Sequence, residues 1–330
     1  MFCPDMNILF RILLTRTEGA LFSVFHCCDH SAGRYAWQHT RKRQSTLIRT
    51  YWESSPGKRE IPGMRPESMC CYAGSSKESQ MEDYTLLIDL HKHANRQGPG
   101  GDAETTKALD LCLVDRSAPL KIADIGCGTG ASTLCLARQL NARITAVDFL
   151  QEFLEVLESR AKTEGLSDRI SALLCSMDSL PFDDKEFDII WSEGAIYNIG
   201  FKNGINAWKR YLKPGGLLVV SEITWITESR PAELQKHWDS EYPEMDVASS
   251  KIRSLEESGY SPIGYFVLPQ HCWLDNYYRP MQNHFSDFLQ RNGNSQEARA
   301  VIEAESREIE LYEKYREYYS YGVYIAGKPV

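Results

Sequence analysis

From residue 121 onward, short apolar runs alternate with longer stretches in which apolar residues recur every three or four positions. Five of the short runs read as strands: Lys121–Ile125, Arg143–Val147, Arg169–Leu174, Phe187–Trp191 and Gly216–Ser221. Each is followed by enough chain for a helical crossover, which is what parallel pairing requires. Leu150, Phe153, Leu154, Leu157 and Ala161 fall at helical spacing, and Gly165 supplies a stop, so this helix packs an apolar stripe on the sheet. Upstream, helical patterns over Tyr84–Ala94 and Glu104–Cys112 flank a loop, RQGPGG, at residues 96–101. Downstream, helical runs around Ala232–Trp238 and Asp246–Ser258 lead to an alternating aromatic run, Tyr260–Leu268, the sixth strand. A long insertion follows at about 273–318, where Ala298, Ile302, Ile309, Tyr312, Tyr315 and Tyr319 mark one helix face. The segment YGVYIAGK then returns as the final strand. The pattern predicts an α/β chain with a mostly parallel sheet, helices on both faces and a helical lid, without internal repeats.

The first eighty residues are different in kind. They hold eleven Lys or Arg against seven Asp or Glu, leaving 26 against 38 for the remainder, and five of the ten cysteines. They lack sustained periodicity. We expect residues 1–80 to be a disordered or non-native extension, with Met69 or Met81 as a natural start, and residues 81–330 to form the working domain. The adjacent pairs Cys27/Cys28 and Cys70/Cys71 do not match the usual zinc-ligand spacing, so no metal site is expected. Arg11, Arg16 and Glu18 interrupt every early apolar run, which argues against a secretory signal, and no run is long enough to span a membrane. Scattered single cysteines suit reduced thiols in a cytoplasmic protein. The whole chain carries a formal charge of -8, which disfavours sequence-independent binding to nucleic acid and favours a small-molecule partner.

The chemistry concentrates at KIADIGCGTGAS, residues 121–132, followed by ITAVDF ending at Asp148 and Phe149. Gly126, Gly128 and Gly130 break the first strand before a helix-forming stretch, so the backbone can approach a ligand at a helix N-terminus that carries partial positive charge. Asp148, at the end of the next strand, is placed to accept from both hydroxyls of a ribose. With Ala131 in the last place, the run also meets the looser dinucleotide form GxGxx(G/A), so a nicotinamide or flavin enzyme stays open. Asp124 separates the two. A carboxylate two residues before the first glycine disfavours a pyrophosphate and suits a ligand bearing an ammonium group, as S-adenosylmethionine does.

DIGCGTG, AVDF, SMDSLPF (176–182), FDIIWSEGAIYNI (187–199) and YLKPGGLLVVSE (211–222) together resemble a class I S-adenosylmethionine-dependent methyltransferase. Within that superfamily the chain resembles the ubiquinone/menaquinone C-methyltransferase-like group, and most closely uncharacterised bacterial small-molecule methyltransferases with a WSEGAIYNIGF segment. The resemblance implies a Rossmann-like seven-stranded sheet whose last strand runs antiparallel. It also implies S-adenosyl-L-methionine as cofactor, with Asp124, Gly126, Gly128 and Gly130 at its methionine end. Asp148 would hold the ribose and Phe149 would stack on adenine. Where relatives often carry an aspartate that reaches the adenine amine, this chain has Ser176. Ser176 or Asp178 would then accept from that amine, and Met177 would cover the ring and present its N–H.

Glu193, Tyr197 and Asn198 follow the fourth strand, at the edge where ligands of open α/β sheets bind, and are the active-site candidates. Many relatives have a histidine at the place of Asn198, so no histidine base carries over. Glu193 has two readings: a group that accepts from the cofactor's ammonium or orients an acceptor proton, or a helix N-terminal carboxylate stabilised by the dipole. Glu222 and Trp225, with His271, Trp273, Tyr277 and Tyr278, would wall an acceptor pocket. Arg96 and Gln97 could close over the cofactor, although a glycine-rich hinge needs no such role. Methyl transfer needs mainly alignment and exclusion of water, so the expected activity is in-line transfer to a small-molecule acceptor. A binding protein without chemistry and a nicotinamide oxidoreductase are the rivals. Oligomeric state and the methylated atom are not legible.

Overall fold

A computed structural model describes residues 85–330, so the proposed extension at 1–80 lies outside the described residues. A helix over residues 85–91 (α1) and α2 (Asp102–Leu111) precede β1 (Leu120–Ile125). There follow α3 (Ala131–Gln139), β2 (Ala142–Asp148), α4 (Gln151–Thr163), β3 (Ile170–Leu174), β4 (Phe187–Ser192), α5 (Phe201–Trp208) and β5 (Leu212–Trp225). The chain continues through α6 (Ala232–Glu241), β6 (Asp246–Val247), α7 (Ala248–Glu257) and β7 (Ser261–Val267). Four further helices, α8 (Gln270–Trp273), α9 (Arg279–Asn283), α10 (Phe285–Arg291) and α11 (Gln296–Tyr315), come before β8 (Tyr319–Gly327).

The strands pair in the order β3-β2-β1-β4-β5-β8-β7, with β6 on the end of β5. Pairing is parallel from β3 to β5, and β8 is antiparallel to both neighbours, as the sequence led us to expect. Two details differ. Asp246 and Val247, read as the start of a helix, instead extend the sheet by pairing with Thr224 and Trp225. β5 also runs longer than its apolar core suggested, because β8 pairs with it from Leu217 to Trp225 and satisfies the backbone of its polar residues.

Alternation along the strands builds two cores. Ile122, Trp191, Val219, Ile223, Tyr321 and Val323 face one side, with Leu109, Leu134, Leu157 and the helices of the insertion. Ala123, Ile125, Ile190, Leu218, Val220 and Tyr324 face the other, with Ile205, Trp208 and Leu255. The insertion is tied back to α1. His91 Nε2 lies 3.3 Å from Glu305 Oε1 with both side chains fully buried, and Asp89 receives Arg291 and Asn292.

The order of strands reverses between β1 and β4, so the loops leaving their carboxyl ends open a crevice. Those loops touch. A Cβ on Gly126 would come within 2.3 Å of Ala195 Cβ. Gly130 serves packing instead, since its Cβ would lie 2.2 Å from Leu157 Cδ1, and its φ of +87° is costly for any other residue. Gly130→Ala should therefore destabilise the fold by about 1–3 kcal/mol in chemical denaturation. Unaltered stability would show that α4 is not seated on this turn.

Candidate functional site

The crevice begins with the turn after β1. Gly126 and Cys127 both donate to Val147 O, at 2.8 and 3.0 Å, which binds the turn to the neighbouring strand. Asp148 completes the clasp. Its Oδ2 accepts from Gly128 N at 2.9 Å and its Oδ1 from Leu150 N at 3.0 Å. Gln97 closes the other side, its Oε1 accepting from Thr129 N at 2.8 Å and its Nε2 donating to His91 O and Ala94 O.

The cavity so formed is lined by Gly126, Gly128, Asp148, Phe149, Met177, Glu193, Tyr197 and Asn198 among the expected residues. Arg96 and Gln97 line it too, so the RQGPGG loop is a wall and not merely a hinge. Cys127, Leu150, Phe153 and Cys175 also line it. The sequence offered a signal for two of these, since Cys127 lies inside the glycine motif and Cys175 precedes Ser176. Both were passed over as ordinary thiols.

Four expected residues lie off the lining: Asp124, Gly130, Ser176 and Asp178. Gly130 is set back against Leu157, as above. In the 176–178 segment it is Met177 that lies across the cavity, near Gly126, while its carbonyl accepts from Trp208 Nε1 at 3.1 Å. Asp124 is wholly buried behind the turn. Its Oδ2 accepts from Ser132 Oγ at 2.8 Å and Thr133 Oγ1 at 2.6 Å, and its Oδ1 has no partner among the described residues. The two hydroxyls at the start of α3 reach this carboxylate from within the protein, a local competition that the motif does not reveal.

Burial raises the carboxyls of both aspartates. Asp124 moves to about 7 through loss of solvent, opposed by its bonds to Thr133 and Ser132. Asp148 moves to about 6, also through burial, opposed by the N–H groups of Leu150 and Gly128. Burial first, then the charges of Glu308 and Glu222, push the Tyr197 phenol well above its ordinary range. It therefore stays protonated at neutral pH and is no general base as it stands.

Glu193 lines the cavity with both carboxylate oxygens engaged by protein donors. Its Oε1 accepts from Thr105 Oγ1 at 2.7 Å and Trp191 Nε1 at 2.9 Å, and its Oε2 from Arg96 at 3.0 Å. A mostly buried charge pair, Arg96 with Glu193, thus stands at the cavity wall where a lone carboxylate was expected. It is held by α2 and β4 together.

A second cavity shares Gln97, Gly98, Pro99, Gly194 and Tyr197 with the first. Trp273, Tyr277 and Tyr278 line it, as anticipated for an acceptor wall. Glu222, Trp225 and His271 do not. Glu222 is fully buried against Lys251 at 3.3 Å, Trp225 packs under Arg230, and His271 turns to Glu104 at 3.3 Å.

A family model described as a methyltransferase domain matches residues 122–216, the stretch that builds the first cavity. Methyltransferase GfsG of Streptomyces halstedii is 36% identical over 33% of this chain and 40% of its own length. The demethylmenaquinone methyltransferase of Clavibacter sepedonicus is 34% identical over 47% and 60%. The uncharacterised methyltransferase YodH of Bacillus subtilis is 30% identical over 48% and 66%. The chain thus spans about two-fifths to two-thirds of these relatives. Over most of the chain the fold is shared with solved structures. An S-adenosylmethionine-dependent methyltransferase from Geobacter sulfurreducens, solved with S-adenosyl-L-homocysteine, superposes with a TM-score of 0.65 at 19% identity, covering 74% of this chain and 97% of that one. The [4+2]-cyclase SpnF shares the fold at a TM-score of 0.59 and 23% identity, covering 77% and 96%. No helix among the described residues is long and apolar enough to cross a membrane.

Asp124 and the methyltransferase turn give a pH prediction. A carboxyl raised on folding keeps a proton that the unfolded chain releases above about pH 4, so its stabilising contribution is full below that pH and is lost as pH rises through about 7. Asp124→Asn should therefore be relatively more stable, compared with the parent, at pH 7.5 than at pH 4.5. The gap in unfolding free energy should change by at most about 1.4 kcal/mol per pH unit. Urea denaturation at both pH values checks this, and a pH-independent difference would refute it.

Proposed function

We propose that this chain transfers a methyl group from S-adenosylmethionine to a small-molecule acceptor, with the cofactor in the first cavity and the acceptor in the second. The observation that carries the reading is the charge of the first cavity. Two carboxylates, Asp148 and Glu193, and one guanidinium, Arg96, line it beside the glycines of the turn, Gly126 and Gly128. A diphosphate would meet an excess of like charge there, whereas a zwitterion with a sulfonium would not. A Cβ at Gly128 would lie 2.4 Å from Gln97 Oε1, so the cradle depends on its absence.

When bound, the cofactor supplies a methyl group on a positively charged sulfur. Asp148 is assigned to the ribose hydroxyls, keeping its present bonds to Gly128 N and Leu150 N. Phe149 and Met177 would sandwich the adenine, with Leu150 and Phe153 completing an apolar slot. Arg96, held in place by Glu193, faces the cofactor's carboxylate. Glu193 is thereby a positioning residue. Ser176 and Asp178 act on this reading only by shaping the segment that presents Met177. Tyr197 belongs to the lining of both cavities, so transfer takes place beside it, with Asn198 next to it on the cofactor side. Its protonated phenol can orient an acceptor lone pair and exclude water. Alignment of the two ligands in a dry space is the main source of rate.

Titration calorimetry with S-adenosylhomocysteine tests the assignment. Charge-assisted bonds contribute about 1.5–3 kcal/mol each, so Asp148→Ala should weaken binding by at least tenfold, while NAD should give no heat with the parent protein. Equal affinity of parent and variant, or tight binding of NAD, would reject the reading.

A further inference from the structure

Outside both cavities, the first helix of the insertion meets α2 through three side chains of different chemistry. Glu104 comes from α2, and His271 and Cys272 come from α8. His271 Nε2 lies 3.3 Å from Glu104 Oε1 and 3.7 Å from Cys272 Sγ, so one ring nitrogen faces both an oxygen and a sulfur. One potential ligand atom from each residue lies within 4.8 Å of the other two. Cys272 is fully buried, Glu104 is mostly buried, and His271 stands half exposed at the rim. The elements that bring these residues together are far apart in sequence, so spacing along the chain gives no sign of the group.

A histidine–carboxylate ion pair would not account for the whole arrangement. Glu104 Oε2 is buried and has no hydrogen-bond partner among the described residues. Room is kept for it, since a Cβ on Gly101 would lie 2.2 Å from that oxygen. Arg96, whose charge also reaches Cys272, is already matched by Glu193 at 3.0 Å and Asp102 at 3.3 Å, which leaves the Glu104 carboxylate for another cation. Geometry indicates which cation. Ligand atoms at the corners of a tetrahedron around zinc, with bonds of about 2.0–2.3 Å, stand roughly 3.3–3.6 Å apart. The oxygen–nitrogen and nitrogen–sulfur separations fall at or just beyond that range. Thiolate, imidazole and carboxylate together suit a borderline-soft ion, whereas calcium and magnesium take oxygen ligands.

We propose that Glu104, His271 and Cys272 bind a zinc ion, with water in the fourth position on the exposed side of His271. On binding, the Cys272 thiol gives its proton to solvent as the sulfur–zinc bond forms, and no group changes oxidation state. His271 ligates through Nε2 as neutral imidazole, so the ion replaces its direct contact with Glu104. Thiolate and carboxylate together balance the two positive charges. Thr105, next to Glu104, donates to Glu193 at the wall of the first cavity at 2.7 Å, and Gly100 N donates to Cys272 O at 3.4 Å. The ion therefore staples the start of the insertion to that wall. The proposal does not depend on what either cavity binds.

The full chain, stripped of metal with a chelator and kept reduced, is titrated with cobalt(II) as a spectroscopic stand-in, and with zinc against a chromogenic chelator. Cobalt should give a near-ultraviolet sulfur-to-metal charge-transfer band and the visible bands of tetrahedral coordination, and zinc should remove both. The chain also carries Cys3, Cys27, Cys28, Cys70 and Cys71, so the variants decide where the ion sits. Cys272→Ser should abolish the charge-transfer band. His271→Ala and Glu104→Gln should each weaken zinc binding by about tenfold or more. Zinc should raise the melting temperature of the parent and leave that of His271→Ala unmoved. His271 is at the surface, so this variant should keep the fold, and the melts without metal check all three. No cobalt band in the parent, a band that survives in Cys272→Ser, or zinc affinity unchanged in folded His271→Ala and Glu104→Gln would each overturn the proposal.

Discussion

The structure turns on one carboxylate, that of Asp148. It accepts from Gly128 on the turn after β1 and from Leu150 at the head of α4, so a single side chain sets the spacing between two neighbouring βα connections. Everything that faces the first cavity is referred to that spacing. Gly126, Gly128 and Gly130 bring no side chains to the turn, and Gly126 and Cys127 donate to Val147 O on the same strand as Asp148. An ionised group in this place is opposed by burial, and the two N–H donors offset part of that opposition. Further donors at the same oxygens would offset more of that opposition.

The sequence reading extended furthest where one rule governed many residues. Strand periodicity located all seven strands of the main sheet path, most clearly where a face is buried, and it reached even β3, which has no fully buried residue, and β7, which has only Phe266. The short β6 escaped it, since two residues carry no period. The glycine turn and Asp148 were legible for the same reason: a motif spaced by backbone geometry survives without knowledge of the third dimension. Individual side-chain partners did not. Asp124 was read as facing a ligand, and Ser132 and Thr133, only eight and nine residues on, intercept it. Glu193 was read alone, and its partners Arg96 and Thr105 come from about ninety residues upstream. Such contacts depend on tertiary placement and leave no mark in local pattern. Glu222 and Trp225 illustrate a further limit, for they were assigned to a wall by strand end alone, whereas Glu222 is drawn to Lys251 on α7.

The two cavities divide the labour of the fold. The first is built on the parallel half of the sheet, β1, β2 and β4, and mixes charges of both signs. The second is built on β5, β8, α6 and the helices between β7 and β8, and is lined largely by aromatic rings. Tyr197 and the residues 97–99 are common to both.

The insertion that carries Trp273, Tyr278 and Glu308 leaves the sheet from β7 and re-enters it through β8, and these strands are adjacent and antiparallel. Its two stems are therefore pinned about one interstrand spacing apart, roughly 4.8 Å, whatever the length or sequence of chain that bridges them. A bridge of different make could replace this one without moving β1, β2 or the turn that joins them. The fold in this sense works like a socket, with the interchangeable part fixed at two contacts on the half of the sheet remote from β1 and β2.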